Sequence, residues 1–132
     1  MSHEAHCNKA SLGFCTCNAV GETRVVDPTT GGAKGSKLAR FDMVPFDVLW
    51  ELAEHYGKGE QKYPSDETGL ANWRRGYDWK LSYAALQRHI HQWGMGDPVD
   101  AETGSSHLTA AIWHLFALRW FELHGKGRDF RA

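Results

Sequence analysis

Four charged side chains recur along one short stretch: Asp47, Glu51, Glu54 and Lys58. On a helix that turns about 100° per residue, these positions fall on one face, within about 60° of one another. Carboxylates one turn apart repel unless a cation stands between them. Glu51 and Glu54 are therefore candidate ligands for Mg²⁺ or Mn²⁺, which favour oxygen donors. A solvated polar face, with Lys58 as ion-pair partner, fits the same spacing.

A second group lies further along. Arg88, His89 and His91 are close neighbours, and His89 shares a stripe with Leu86 and Trp93. A core histidine held by one hydrogen bond is the ordinary explanation. Arg88 at the edge of that stripe offers a paired contact to a carboxylate or a phosphate. His107 and His114 fall on one helical line, and His107 follows a segment with Asp97, Asp100 and Glu102. Histidines, Asp100 and the Glu51–Glu54 pair could together bind a metal, or form a structural hydrogen-bond network.

Between these groups stand the donors Lys58, Lys62, Asn72, Trp73, Arg74, Arg75 and Lys80, interleaved with Tyr63, Tyr77 and Trp79. Cations suit phosphates and rings suit a base, so a nucleotide fits the pattern. Single-stranded nucleic acid would use the same groups, but the carboxylate face should repel its backbone. A metal-bridged nucleoside triphosphate satisfies both halves, which favours an enzyme over a binding module.

These residues need elements to position them. Periodicity predicts a helix from Pro45 to about Tyr56, with Phe46, Leu49, Trp50 and Ala53 as its apolar stripe and Gly57 and Gly59 at its end. Residues 57–80 read as a long ordered loop with at most one short helical turn. A second helix runs from Ser82, its cap, to Trp93, stopped by Gly94 and Gly96. After a polar turn region, a third runs from about Ser106 to Leu123 and is apolar on nearly all sides. Such a helix is central, or faces a partner subunit. The segment GETRVVDP offers one short strand, and Asp27–Lys37 reads as a flexible turn-rich loop. Its GGAKGS lacks the spacing of a phosphate loop.

The domain reading is a flexible arm and Gly-rich loop over 1–39, a helical domain over 40–124, and a short, frayed polar tail over 125–132. The fold class is all-α: a helical bundle completed by oligomerisation, at least a dimer.

The 132 residues suit one domain, and 42% hydrophobic with 23% charged residues is a globular composition. Fifteen Lys and Arg against sixteen Asp and Glu, a formal net charge of −1, give no general grip on nucleic acid, so stable binding to it is not expected. No apolar run is long enough for a membrane span, and the first residues lack the pattern of a signal peptide, so the expected compartment is the cytoplasm. Cys7, Cys15 and Cys17 are an odd set near one end, which argues against a disulfide framework. Free thiols on an arm are the simpler reading, and a zinc cluster with His3 and His6 is the alternative.

The stretch from Arg40 to Phe121 also resembles a known family. Its elements are RFDMVPFDVLWELAEHYGKGEQKY, NWRRG, LSYAALQRHIHQW and DPVDAETGSSHLTAAIWHLFAL. In order and spacing they are similar to phage dATP/dGTP diphosphohydrolases, relatives of the MazG-like all-α nucleoside triphosphate pyrophosphohydrolases. The wider group holds Mg²⁺ or Mn²⁺ through an ExxE on one helix and an ExxD on a later one. Glu51 and Glu54 match the first. At the second, His107 and Ala110 stand where the carboxylates would be, so Asp100 or Asp97 would supply the oxygen. The resemblance implies a MazG-like bundle of two or four subunits. It also implies hydrolysis of a purine (deoxy)nucleoside triphosphate to monophosphate and pyrophosphate, with dGTP the first candidate. The implied metal set is Glu51, Glu54, Asp100 and His107, with Glu51 and Glu54 also catalytic. Lys58, Lys62 and Arg88 would hold phosphates, Asn72 and Trp73 the base, and His89 would support the substrate site. In phages whose DNA carries 2-aminoadenine, such an enzyme would supply dGMP. The rival expectations are a non-enzymatic helical scaffold or nucleic-acid accessory protein, and a phosphohydrolase that cuts another phosphate bond.

Overall fold

The computed structural model describes residues 22–131. The cysteines and the start of the expected arm lie outside them. The chain divides into two units, one ending at Val44 and one starting at Pro45.

In the first unit, strands β1 (Thr23–Val26) and β2 (Ala33–Ser36) pair antiparallel, with Val26 opposite Ala33. Part of the segment read as a flexible loop is thus a strand. Its turn explains why. The Asp27 carboxylate accepts from the backbone N–H groups of Thr29 and Thr30, and the Asp27 N–H donates to the Gly32 carbonyl at 2.8 Å. Gly31 supplies the positive φ, +74°, that the reversal needs. A short 3₁₀ turn, Phe41–Met43, follows.

The second unit is all-α and is a three-helix bundle. Helices α1 (Phe46–Lys62), α2 (Trp79–Gly94) and α3 (His107–His124) are joined by a loop with a 3₁₀ turn, Asn72–Arg75, and by the 95–106 turn region. No helix of the described residues is long and apolar enough to cross a membrane. Helix α3 packs against both α1 and α2. That position buries its Ala110, Ala111, Ala117 and Phe121, while Leu108, Leu115 and Phe116 stay exposed, so packing within the bundle covers only part of its apolar surface.

Helix α1 runs past Gly57 and Gly59, where an end was expected. Its last turn closes with the Tyr63 N–H on the Gly59 carbonyl, so the two glycines are spent inside the helix. The expected stripe is also turned. Leu52 is the buried residue of α1, while Phe46, Leu49 and Trp50 are exposed. Helix α2 starts three residues before its expected cap. Asp78 caps it by accepting from the Lys80 N–H, and Ser82 is instead a buried core hydroxyl. Ser106, where the third helix was expected to begin, is the cap of α3, and Gly125 ends it in the left-handed conformation.

The tail is pinned where fraying was expected. Trp79 donates its backbone N–H to the Arg128 carbonyl and its indole Nε1–H to the Lys126 carbonyl, and the Arg128 N–H returns to the Tyr77 carbonyl. Gly76 and Gly127, both at positive φ, let the two strands of chain touch, since a Cβ on Gly127 would collide with the Tyr77 carbonyl. Trp79, Ala117 and Phe121 form the buried centre, with Trp73, Tyr77, Trp113, Leu118 and Trp120 packed around it. The abundant tryptophan is therefore largely a core matter.

Candidate active site

An open cleft of about 1410 Å³ lies in the helical unit. Its walls are the second half of α1, the 69–77 segment, α2, the 100–103 turn, and Trp113 and His114 of α3. Six of the residues singled out from sequence line it: Lys58, Lys62, Asn72, Trp73, Arg88 and His89, joined by Asp100.

The turn before α3 is tightly built. The Asp100 N–H donates to the Ser105 carbonyl at 2.8 Å and the Gly104 N–H to the Asp100 carbonyl at 2.7 Å. Thr103 donates both its hydroxyl and its N–H to the Asp100 carboxylate. Burial pushes the Asp100 carboxyl up, but these bonds and the nearby His89 more than offset it, so its pKa lies below the usual value. Asp100 is thereby kept as a carboxylate with a lone pair to spare.

His89, Asp100 and His107 each offer a ligand atom, all within 4.8 Å of one another. His89 Nδ1 is 2.9 Å from His107 Nδ1. Neighbouring ligands on an octahedral ion, each about 2.1 Å from it, stand about 3 Å apart. His107 is 1% exposed, and its Nε2 has no hydrogen-bond partner although Asp97 Oδ2 is 3.3 Å away. The distance alone suggests an ion pair, but the angle does not make a hydrogen bond, so the ring lacks the second tether that a purely structural histidine would have. Burial lowers the His89 pKa, partly opposed by Asp100. A neutral ring has a nitrogen lone pair for a cation. The trio fits a divalent ion.

The expected metal set is thus distributed differently. Asp100 and His107 come together with His89, a residue read from sequence as a substrate group. Glu51 and Glu54 are exposed on α1 and line no part of the cleft. Glu51 accepts from the Thr109 hydroxyl at 3.2 Å, on the first turn of α3, two residues beyond His107. Among the described residues, neither glutamate joins a three-ligand group.

The other side chains fall into two sets. Lys62 is paired with Glu102. Lys58 donates to the Ser105 hydroxyl at 3.0 Å. Arg88 forms no ion pair among the described residues. Asn72 opens the 3₁₀ turn, and Trp73 packs edge-on to Trp113 and Trp120 with ring centroids at 6.2 and 5.0 Å. Trp73 is thus fixed by the core, and one part of its surface reaches the cleft.

Sequence reasoning missed His55 and Ser105, read Ser82 only as a cap, and gave His114 no role of its own. The Ser82 hydroxyl, 1% exposed, meets the Tyr77 hydroxyl at 2.6 Å and His114 Nδ1 at 2.9 Å. Burial, with His89, His55 and Arg88 nearby, pushes the His114 pKa down to about 4. His114 was placed on the line of His107, which was the available signal. His55 follows Glu54 directly, but nothing in the local pattern pairs it with Ser105.

Fold and cleft define a helical protein with a candidate divalent-metal site beside basic and aromatic groups. Residues 28–131 match the family model described as dATP/dGTP diphosphohydrolase, N-terminal, and the chain belongs to that family. No curated protein and no solved structure matches it. Family membership and the His89–Asp100–His107 group together support metal-dependent hydrolase chemistry in nucleotide metabolism.

Proposed function

We propose that the protein is a metal-dependent pyrophosphohydrolase that cuts a purine deoxynucleoside triphosphate between the α- and β-phosphates. dGTP is the first candidate, with dATP or GTP as further substrates, and the products are monophosphate and pyrophosphate. The observation that carries this reading is that His89 and Asp100 of the metal-fitting trio line the same cleft as Lys58, Lys62 and Arg88. A divalent ion bound there would neutralise charge on the phosphates and polarise a phosphorus–oxygen bond. Two imidazoles and one carboxylate favour Mn²⁺ and later first-row ions over Mg²⁺.

The chain's own groups then have distinct tasks. Arg88 supplies a forked donor for phosphate oxygens, and Lys58 and Lys62 supply point charges. Lys62 would exchange Glu102 for a phosphate. Tyr56, Trp73 and Trp113 offer ring surface to the base, and Asn72 a polar edge. Glu51 and Glu54 keep the catalytic part expected of the ExxE pair. Glu51 reaches the first turn of α3, and Glu54, outside the cleft of its own chain, would orient or deprotonate the attacking water where assembly of subunits brings α1 against the substrate. The exposed Phe46, Leu49 and Trp50 favour assembly into a dimer or tetramer. In a phage whose DNA carries 2-aminoadenine, dGMP from this reaction would feed synthesis of the modified nucleotide and lower competing dGTP.

The test is a product assay on the eight common ribo- and deoxynucleoside triphosphates, with Mn²⁺, Mg²⁺ or chelator. Metal-dependent release of pyrophosphate and monophosphate, fastest with dGTP, is expected. Orthophosphate or intact triphosphate as product would move the cut to another bond. No turnover under any metal would overturn the enzyme reading.

A further inference from the structure

Three side chains meet on the α1 side of the cleft. The Ser105 hydroxyl lies 2.8 Å from His55 Nδ1 and 3.0 Å from Lys58 Nζ. Ser105 is 7% exposed, while His55 and Lys58 both line the cleft. Sequence places His55 and Lys58 one turn apart, so both project from the same side of α1.

Hydrogen-bond accounting fixes the roles. The Lys58 ammonium can only donate, so the Ser105 oxygen accepts from it. If His55 also donated through Nδ1–H, the buried Ser105 O–H would have no acceptor among the described residues, at a cost of about 1–3 kcal/mol. The satisfied arrangement has Ser105 donating its O–H to His55 Nδ1. The ring proton then sits on Nε2, which has no hydrogen-bond partner among the described residues. The ring is braced by the edge-on contact with Trp113, centroids at 6.4 Å.

We infer that His55, fixed as its Nε2–H tautomer by Ser105, forms with Lys58 a two-donor seat for a pyrophosphate group, each donor taking a different oxygen of the anion. The ammonium supplies charge and the imidazole a directed neutral N–H. Ser105 is the positioning residue, orienting both donors through one hydroxyl. The seat rests on the proposed nucleotide reading for its substrate and gives the leaving pyrophosphate a holder distinct from His89, Asp100 and His107.

The test uses the full chain labelled with ¹⁵N-histidine, in chelator, titrated with inorganic pyrophosphate. In long-range ¹H–¹⁵N spectra, His55 should show an unprotonated Nδ1 and a protonated Nε2, with the Nε2 signal moving on pyrophosphate addition. Ser105→Ala should mix the tautomers and weaken pyrophosphate binding by about tenfold, and His55→Ala by a similar factor. His55→Gln, which keeps an N–H donor, should recover part of the loss and controls for folding. In turnover, Ser105→Ala should raise KM for the triphosphate with kcat nearly unchanged. A protonated Nδ1 in the wild type, or unaltered pyrophosphate affinity in folded His55→Ala, overturns the proposal. If no triphosphate is hydrolysed, the pyrophosphohydrolase reading fails by itself, since the tautomer and the pyrophosphate titration still decide on the seat.

Discussion

His89 of α2 and His107 of α3 meet nitrogen to nitrogen, Nδ1 to Nδ1 at 2.9 Å. Without a cation, one of these atoms must hold a proton and the other must not. With Asp100 alongside, a divalent ion can take the place of that shared proton and satisfy both lone pairs at once.

His107→Ala should lower Mn²⁺ affinity by about tenfold or more, read by titration calorimetry, and His89→Ala should do the same. Glu51→Gln and Glu54→Gln should leave that affinity within about twofold, yet lower turnover by about a hundredfold. The glutamine at position 51 keeps an acceptor for Thr109, so loss of fold would not explain the drop. Equal loss of Mn²⁺ affinity in all four variants would place the α1 carboxylates on the same ion.

Acid should destabilise the metal-free protein through His114. Its folded pKa, about 4, lies below the 6.5 of an unperturbed histidine. A chain that unfolds therefore takes up a proton between those values. Stability is full above about pH 6.5 and falls as the pH drops toward 4, by about 2 kcal/mol for this partly buried ring. Urea unfolding in chelator at several pH values checks this. His114→Gln should flatten the slope.

Gly57 and Gly59 stand inside α1 with nothing within 4 Å of an added Cβ, and both line the cleft. Gly57→Ala or Gly59→Ala should raise stability by about 0.5–1 kcal/mol, since alanine suits a helix interior better. The added methyl narrows the cleft, so KM for the nucleotide should rise. Thermal unfolding and steady-state kinetics report the two effects separately.

Gly127→Ala should have the opposite result. Its φ is +72°, and its Cβ would run into the Tyr77 carbonyl and the Trp79 indole. A loss of about 2–3 kcal/mol is expected in denaturant unfolding. Gly125→Ala, also at positive φ but in open space, should cost only about 1 kcal/mol.

Much of the helical layout was legible from residue pattern. The all-α class, the three helices and the start of α3 near Ser106 follow from 3.6-residue periodicity and turn chemistry. The end of α1 was not legible, because the helix tolerates Gly57 and Gly59 where local propensity says stop. Which α1 face is buried was also hidden. Leu49, Trp50 and Leu52 are all apolar, and only the packing on α3 chooses Leu52. At the site, Asp100 and His107 could be paired from the acidic turn and the histidine that follows it. The membership of His89 depends on how α2 and α3 cross, which no local spacing encodes. The clasp of Ser105 on His55 and Lys58 joins residues about fifty positions apart, and long-range contacts of that kind are set by the fold.

The pinned tail also sets an order in time. The 69–77 wall of the cleft leads directly into Tyr77 and Trp79, which are tied to Lys126 and Arg128. During synthesis, α1 and α2 leave the ribosome before those partners do. The nascent chain can begin to fold its helices, but that wall is fastened only once residue 128 has left the ribosome. Until then the cleft is an unfinished vessel, and its last wall is fixed late in the making of this unit.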